Sequence, residues 1–282
     1  MRENLSYRYV MFKNLFRALV VMFVFTCAAA SATCASAQGF SALISPPRFE
    51  LKGKPGQVLS EAFDISNPEN FVAKYEFLTS DWSLTDAGSV AFNDALAPGS
   101  CRPWTRIERR SLALNARGNR KFRFEVHIPA DAPVGECRFA ILIGAAPDQD
   151  STVAAGQLKF PVQGRVGLVV YVSIGDARPK LEFRGLKVAK VNNVPTPVAV
   201  FHNAGNAHGR PEGGLDAVDA KGQQLEFVVS PSPILPGQTR EIPIWPADPD
   251  NSNKTVQFTY PLKLKGIIEW DGGKQAVDAT VQ

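Results

Sequence analysis

From Gly156 to Ile174 the chain alternates with a period of two. Leu158, Phe160, Val162, Gly164, Val166, Leu168, Val170 and Val172 are apolar or glycine, and Lys159, Gln163, Arg165 and Tyr171 fall between them. Such alternation predicts an extended strand with one face buried. A usual strand runs about 5–6 residues, and this pattern is roughly three times as long. Its second half fits an inner strand of its own domain. The first half either overhangs an edge or offers its apolar row to another protein.

Shorter alternating segments precede it. FSALISPPRFEL (40–51) opens extended and breaks at Pro46-Pro47, because proline lacks an amide donor and is confined to edges and strand breaks. SEAFDISNP alternates up to Asn67-Pro68, and FVAKYEFLTSDWSL carries Tyr75, Phe77 and Trp82 as core candidates. KFRFEVHI (121–128) is the cleanest case, with Phe122, Phe124, Val126 and Ile128 inward and Lys121, Arg123, Glu125 and His127 outward. CRFAILIGA reads as a buried strand, and Asp148–Ala155 as a polar connection into the long alternating run.

No amphipathic helix of a dozen residues interrupts this series before residue 175. Short strands separated by Gly, Pro, Asn and Asp mark a β-sandwich. Gly175–Pro179 (GDARP) reads as a hinge, after which the rhythm restarts in LEFRGLKVAKV, PTPVAVFHNAGNAHG and the segments that follow. Asp219-Ala220-Lys221-Gly222 and Asp271-Gly272-Gly273 are hairpin turns. The predicted fold is all-β, two tandem immunoglobulin-like β-sandwich domains over 38–174 and 175–282.

Residues 1–37 stand outside that fold. Arg2, Arg8, Lys13 and Arg17 precede the apolar run Ala18–Phe25, and Ala35-Ser36-Ala37 supplies small residues for cleavage after Ala37. This is the pattern of a secretory signal peptide, with too short an apolar run for a membrane span. The segment carries four basic residues and one acidic, so its removal lowers the net charge from +4 to +1. Nucleic acid is therefore a poor partner for the mature chain. The basic stretch from Arg102 to Arg123 reads as a solvated face. Cys101 and Cys137 are the two cysteines left after cleavage, and in an exported chain they are expected to form a disulfide.

Catalytic patterns are missing from the sequence. It has no GxSxG turn, no HExxH and no glycine-rich loop opening a helix, so an enzyme is not expected, nor a cofactor. His202 and His208 flank AsnAlaGlyAsnAla, where polar residues around a tight turn explain them better than a metal site does. What is left is binding.

The first domain resembles the periplasmic chaperones of chaperone–usher pilus assembly. The likeness covers roughly 43–175: Arg48 after the Pro46-Pro47 break, an apolar strand ending at Asn67, an aromatic strand ending at Asp81-Trp82, and the long alternating run. It implies a protein that caps pilus or fimbrial subunits by donating an edge strand, with Leu158, Phe160 and Val162 filling the subunit's open groove. It further implies that two basic residues hold the subunit's terminal carboxylate. Arg48 is the first; Gly167 stands at about the place of the second, and Arg165 on the same face takes its part. Pilin subunits and an outer-membrane usher are the implied partners, and the periplasm the implied location. The second domain is closer to the immunoglobulin-like repeats of exported scaffolds, so an envelope scaffold or adhesion partner is the alternative. A sugar-binding module using Trp82 or Trp270 is a third reading. An uncovered apolar edge also predicts self-association in the resting state.

Overall fold

The computed structural model describes residues 40–85, 88–147, 152–155, 158–161, 164–247 and 256–282. The signal-peptide segment and Val162 lie outside the described residues. Strands β1 to β9 are Leu43–Ser45, Arg48–Gly53, Val58–Ser66, Ala73–Leu84, Val90–Asn93, Thr105–Ile107, Ser111–Leu114, Asn119–His127 and Gly135–Ala145. Next come β10 (Thr152–Ala155), β11 (Leu158–Pro161) and β12 (Arg165–Ile174). Strands β13 to β19 are Leu181–Val191, Val194–Asn203, Gly214–Val218, Gln224–Val229, Thr239–Ala247, Leu262–Trp270 and Gly273–Val281. One 3₁₀ turn, Arg102–Trp104, is the helical element among the described residues.

The fold is all-β and immunoglobulin-like. Apart from the β10–β11 pair, the strands before residue 175 build two sheets, β1-β3-β8-β6 and β2-β12-β9-β4-β5 with β7 on β4. Alternation in β8 and β3 turns Phe122, Phe124 and Phe63 toward Phe77 and Phe139 of the other sheet. Phe77 stacks on Phe122 with ring centroids 4.0 Å apart, and Phe49 meets Phe124 edge-on at 5.2 Å. The Pro46-Pro47 break has a structural consequence. β1 pairs with β3 in one sheet, whereas β2 pairs with β12 in the other, so the chain changes sheets where its amide donors are missing.

Past residue 180, seven strands form one sheet in the order β13-β14-β17-β16-β15-β18-β19. It wraps a core that includes Phe201, Phe227, Ile242, Ile244, Leu264 and Ile268. The Asp219 and Asp271 turns close the β15–β16 and β18–β19 hairpins. Asp219 accepts the amides of Lys221, Gln223 and Thr259 and the Thr259 hydroxyl. Although desolvation pushes its carboxyl up, these donors outweigh it and hold the group below the usual carboxylate range.

The long alternating run is not one strand. β12 covers its second half and lies inside the sheet, antiparallel to β9 from Arg165↔Gly144 to Ile174↔Gly135 and parallel to β2 from Val169↔Arg48 onward. Leu168, Val170 and Val172 enter the core, as the period predicts. The first half belongs to a separate compact unit, in which β11 pairs antiparallel with β10, Phe160 opposite Val153. β11 ends at Pro161, which has no amide to continue a ladder. At Gly164, in the same unit, the Phe40 ring occupies the space a Cβ would need.

Within Gly175–Pro179, Arg178 is tied to the second sandwich. The Asn206 and Ala207 amides donate to the Arg178 carbonyl, and the Arg178 amide donates to Asn206 Oδ1. Gly205 lets the two segments touch, since a Cβ there would meet the Arg178 carbonyl oxygen and the Lys180 amide.

Cys101 and Cys137 form the expected disulfide, Cα atoms 5.5 Å apart and 36 residues apart in sequence. Closing a loop of that length stabilises the native state by about 3–4 kcal/mol in the chain-entropy account. Urea unfolding of a Cys101→Ala/Cys137→Ala variant, beside the oxidised protein, is expected to show a loss of that size.

Candidate functional site

β12 carries two different faces. Leu168, Val170 and Val172 point into the sandwich, while Arg165, Gly167, Val169 and Tyr171 point the other way. Sheet register places Arg48 beside Val169 and Glu50 beside Tyr171 on that outer face. Tyr171 is nevertheless buried. Trp82 meets its ring edge-on at 5.1 Å, and Leu235, from the loop before β17, joins the same apolar cluster. Burial pushes the Tyr171 phenol up, and the neighbouring Arg210 guanidinium opposes that shift.

Around this apolar floor stands a polar cluster shared by the two sandwiches. The Glu136 carboxylate, at the start of β9, is buried and lies 2.6 Å from His208 Nδ1. It also accepts the His208 amide, while the Glu136 amide donates to the Asn206 carbonyl. The His208 ring lies on the Tyr171 ring with centroids 4.0 Å apart. Arg210 places its guanidinium over the Tyr171 ring at 5.7 Å and donates to the Pro231 carbonyl and the Tyr171 hydroxyl. One carboxylate oxygen, Glu50 Oε1, gathers Arg48 Nε at 3.0 Å, Arg210 Nε at 3.5 Å and His208 Nε2 at 3.6 Å.

Arg48 therefore lies at the edge of this cluster, half exposed and paired with Glu50. Arg165 does not join it. It lies four positions before Val169, the partner of Arg48, a displacement of about 13 Å along a strand. Gly167 has no room for a long cation either, because the Phe92 ring occupies the place of its Cβ. Leu158 and Phe160 lie in β11, paired to β10. Trp82 is buried and donates to the Phe139 carbonyl, so it offers no stacking platform, and Trp270 is partly buried against the second core. His202 and His208 part company: His202 Nδ1 is 3.0 Å from Thr239 Oγ1, while His208 turns to Glu136.

Sequence reasoning missed Glu50, Glu136 and Arg210, and explained His208 as a turn residue. Glu50 follows Arg48 by two positions, which on a strand means the same face, so that much was readable. Arg210 and Glu136 come together through tertiary folding, and no local spacing announces them.

One edge of β12 is open. β2 accompanies it only from Val169 onward, and among the described residues no strand pairs with Arg165–Leu168 on that side.

An immunoglobulin-like pair of sandwiches joined by a polar cluster defines the structural class. No family model matches the chain, and no curated protein matches it. Solved structures do. The E. coli chaperone DraB is 15% identical over 86% of this chain and 97% of its own, with a TM-score of 0.45. The class 5 fimbriae chaperone CfaA is 12% identical, covering 86% and 99%, with a TM-score of 0.45. A chain of the CsuC–CsuE chaperone–tip adhesion subunit pre-assembly complex, from archaic chaperone-usher Csu pili of Acinetobacter baumannii, is 11% identical, covering 86% and 100%, at 0.43.

Two His–Glu pairs allow a direct contrast. His208–Glu136 is buried, whereas His127–Glu125 sits on the surface at 2.8 Å. Removing a partner from a buried hydrogen-bonded charge costs roughly 2–3 kcal/mol, while exposed pairs contribute about 0–1. His208→Ala is thus expected to lower the urea midpoint clearly and His127→Ala hardly at all. Equal losses would contradict the assignment of the buried pair as the link between the sandwiches.

Proposed function

We propose that this chain is an exported, periplasmic chaperone that binds and caps pilus or fimbrial subunits by donating an edge strand. The single observation that carries the reading is the open edge of β12 at Arg165–Leu168, ahead of the point where β2 takes up the ladder. An unpaired edge beside a paired one is a template for a strand from another chain. Ahead of β12 in the sequence, Leu158, Phe160 and Val162 stand at alternate positions. In this reading the subunit supplies the groove, these side chains fill it, and the Arg48 end of the cleft receives the subunit's terminal carboxylate. The protein works by lending backbone and apolar surface, without chemistry. Outer-membrane ushers are the expected acceptors of the capped subunit.

One observation favours the alternative of an envelope scaffold. On the outer face of the second sandwich, Trp245 pairs with Val228, Val228 with Gly214, and Ile267 with Ala276. Trp245, Val228 and Ile267 are 40%, 46% and 45% exposed, an apolar row on a face that a scaffold would use for docking.

The mature chain purified from a periplasm that expresses its pilus subunits is expected to carry a bound small β-sandwich subunit, identified by mass. Phe160→Asp, which puts a charge into the donated row, is expected to abolish that complex, and Trp245→Ala to leave it intact. Retention by cell-wall sacculi, lost in Trp245→Ala, together with no subunit on the wild type, would give the function to the scaffold reading instead.

A further inference from the structure

The second half of β17 joins β16, β15, β18 and β19 in one layer of the second sandwich. Alternation sends Ile244, Phe227, Leu215, Ile268 and Val277 into the core and their neighbours outward. The outward residues line up in rows across the strands. In one row Trp245 pairs with Val228, Val228 with Gly214 and Ile267 with Ala276. The register that joins Leu215 to Gly266 and Glu212 to Glu269 sets Ile267 opposite Gly214 and closes the row. The next row is charged and runs Glu226, Asp216, Lys265, Asp278. A contiguous exposed apolar row bordered by charge marks an interaction site more than scattered apolar residues do.

Both rows are lopsided about β15. On the β16 side stand the largest side chain, Trp245, and an acid, Glu226. On the β18 side stand the small Ala276 and a base, Lys265. Glu226 has no cation at a paired position, since its cross-strand neighbours are Asp216 and Ala247. Like charges directly opposite one another destabilise a sheet. Gly214, at the centre, has nothing within 4 Å of the place a Cβ would take, so another backbone can come close there.

These features complement one another. A two-fold axis along β15 turns a second copy over so that β16 lies on β18 and β17 on β19, with each row on itself. Trp245 then covers Ala276, Val228 covers Ile267, and Glu226 meets the cation it lacks, Lys265, each contact occurring twice. Asp216, beside the axis, meets its own copy. Five strands about 4.8 Å apart, each giving about five residues of 3.3 Å, bury about 800 Å² over the two copies. That is small for a specific pair and fits a weak, concentration-dependent one.

We propose that this face pairs two copies of the chain about β15, held by Trp245 on Ala276 and Glu226 on Lys265. The contact belongs to the second sandwich, so it leaves the open edge of β12 in the first sandwich uncovered, and it stands whether or not the chain is a chaperone.

The test is sedimentation velocity on the mature chain, at low salt, over a micromolar concentration range. The wild type is expected to pass from monomer to dimer as concentration rises, and Trp245→Ala to weaken the dimer by about tenfold. Glu226→Lys and Lys265→Glu are each expected to stay monomeric alone, because both contacts then join like charges. An equal mixture of these two variants is expected to dimerise, since every contact again joins opposite charges. A misfolded variant cannot imitate that recovery. Asp216→Asn, which removes the repulsion at the axis, is expected to tighten the dimer by about threefold. A wild type monomeric at every concentration would overturn the proposal, and retention by cell-wall sacculi through Trp245 would then give the face to the wall. A mixture that stays monomeric would overturn it too. So would a dimer broken by Phe160→Asp and untouched by Trp245→Ala, which would put the contact in the 158–168 segment.

Discussion

A strand has two hydrogen-bonding edges, and how β12 uses its pair governs the rest of the molecule. From Val169 to Ile174 both edges are filled, by β9 and by β2, and the strand is an ordinary inner member of a sandwich. From Arg165 to Leu168, among the described residues, only β9 is paired with it, because β2 begins at Arg48. The Pro46-Pro47 break sets that starting point: upstream of it the chain belongs to the other sheet, on β3. A pair of residues without amide donors thus leaves the neighbouring strand with an unfilled ladder. An unfilled ladder is a liability unless the protein meets a partner there.

The second constraint is polar. The two sandwiches meet through Glu136 on one side and His208 and Asn206 on the other, all hydrogen-bonded, and through Leu235 on an apolar floor made by Trp82 and Tyr171. Buried polar groups of this kind fix a geometry more than they add net stability, because desolvation offsets much of their attraction. What they fix here is the position of Arg210 opposite Arg48. Arg210 Nε lies 3.5 Å from Glu50 Oε1, so the guanidinium is held by a residue of the first sandwich and by the Pro231 carbonyl of the second.

Much of the fold was legible because alternation reports burial directly. Phe122, Phe124 and Val126 went inward as their spacing required, and the Asp219 and Asp271 turns closed the hairpins expected of them. The disulfide was expected from the signal-peptide pattern of the first 37 residues and the two cysteines beyond it. The long run was over-read, since a period of two says nothing about where a ladder breaks; Pro161, without an amide donor, is the local sign that it does. The candidate site was legible only in part. Arg48 was visible after its proline break, but a second cation was sought along the same strand, at Arg165. The side chain that meets Glu50 comes from a loop of the other sandwich, and no sequence periodicity connects Arg210 with Arg48. Tyr171 was read correctly as facing away from its own core, yet it is buried, because the second sandwich covers it.

The account's central claim is that an unfilled edge is completed by another protein's strand. Amide hydrogen exchange across residues 158–168, compared between the free chain and its complex with a pilus subunit, tests this most directly. The account predicts that amides pointing to the open side of β12, and those of β11 that point away from β10, exchange freely alone and become strongly protected in the complex. Unchanged exchange over these residues, with protection arising elsewhere on the surface, would contradict it.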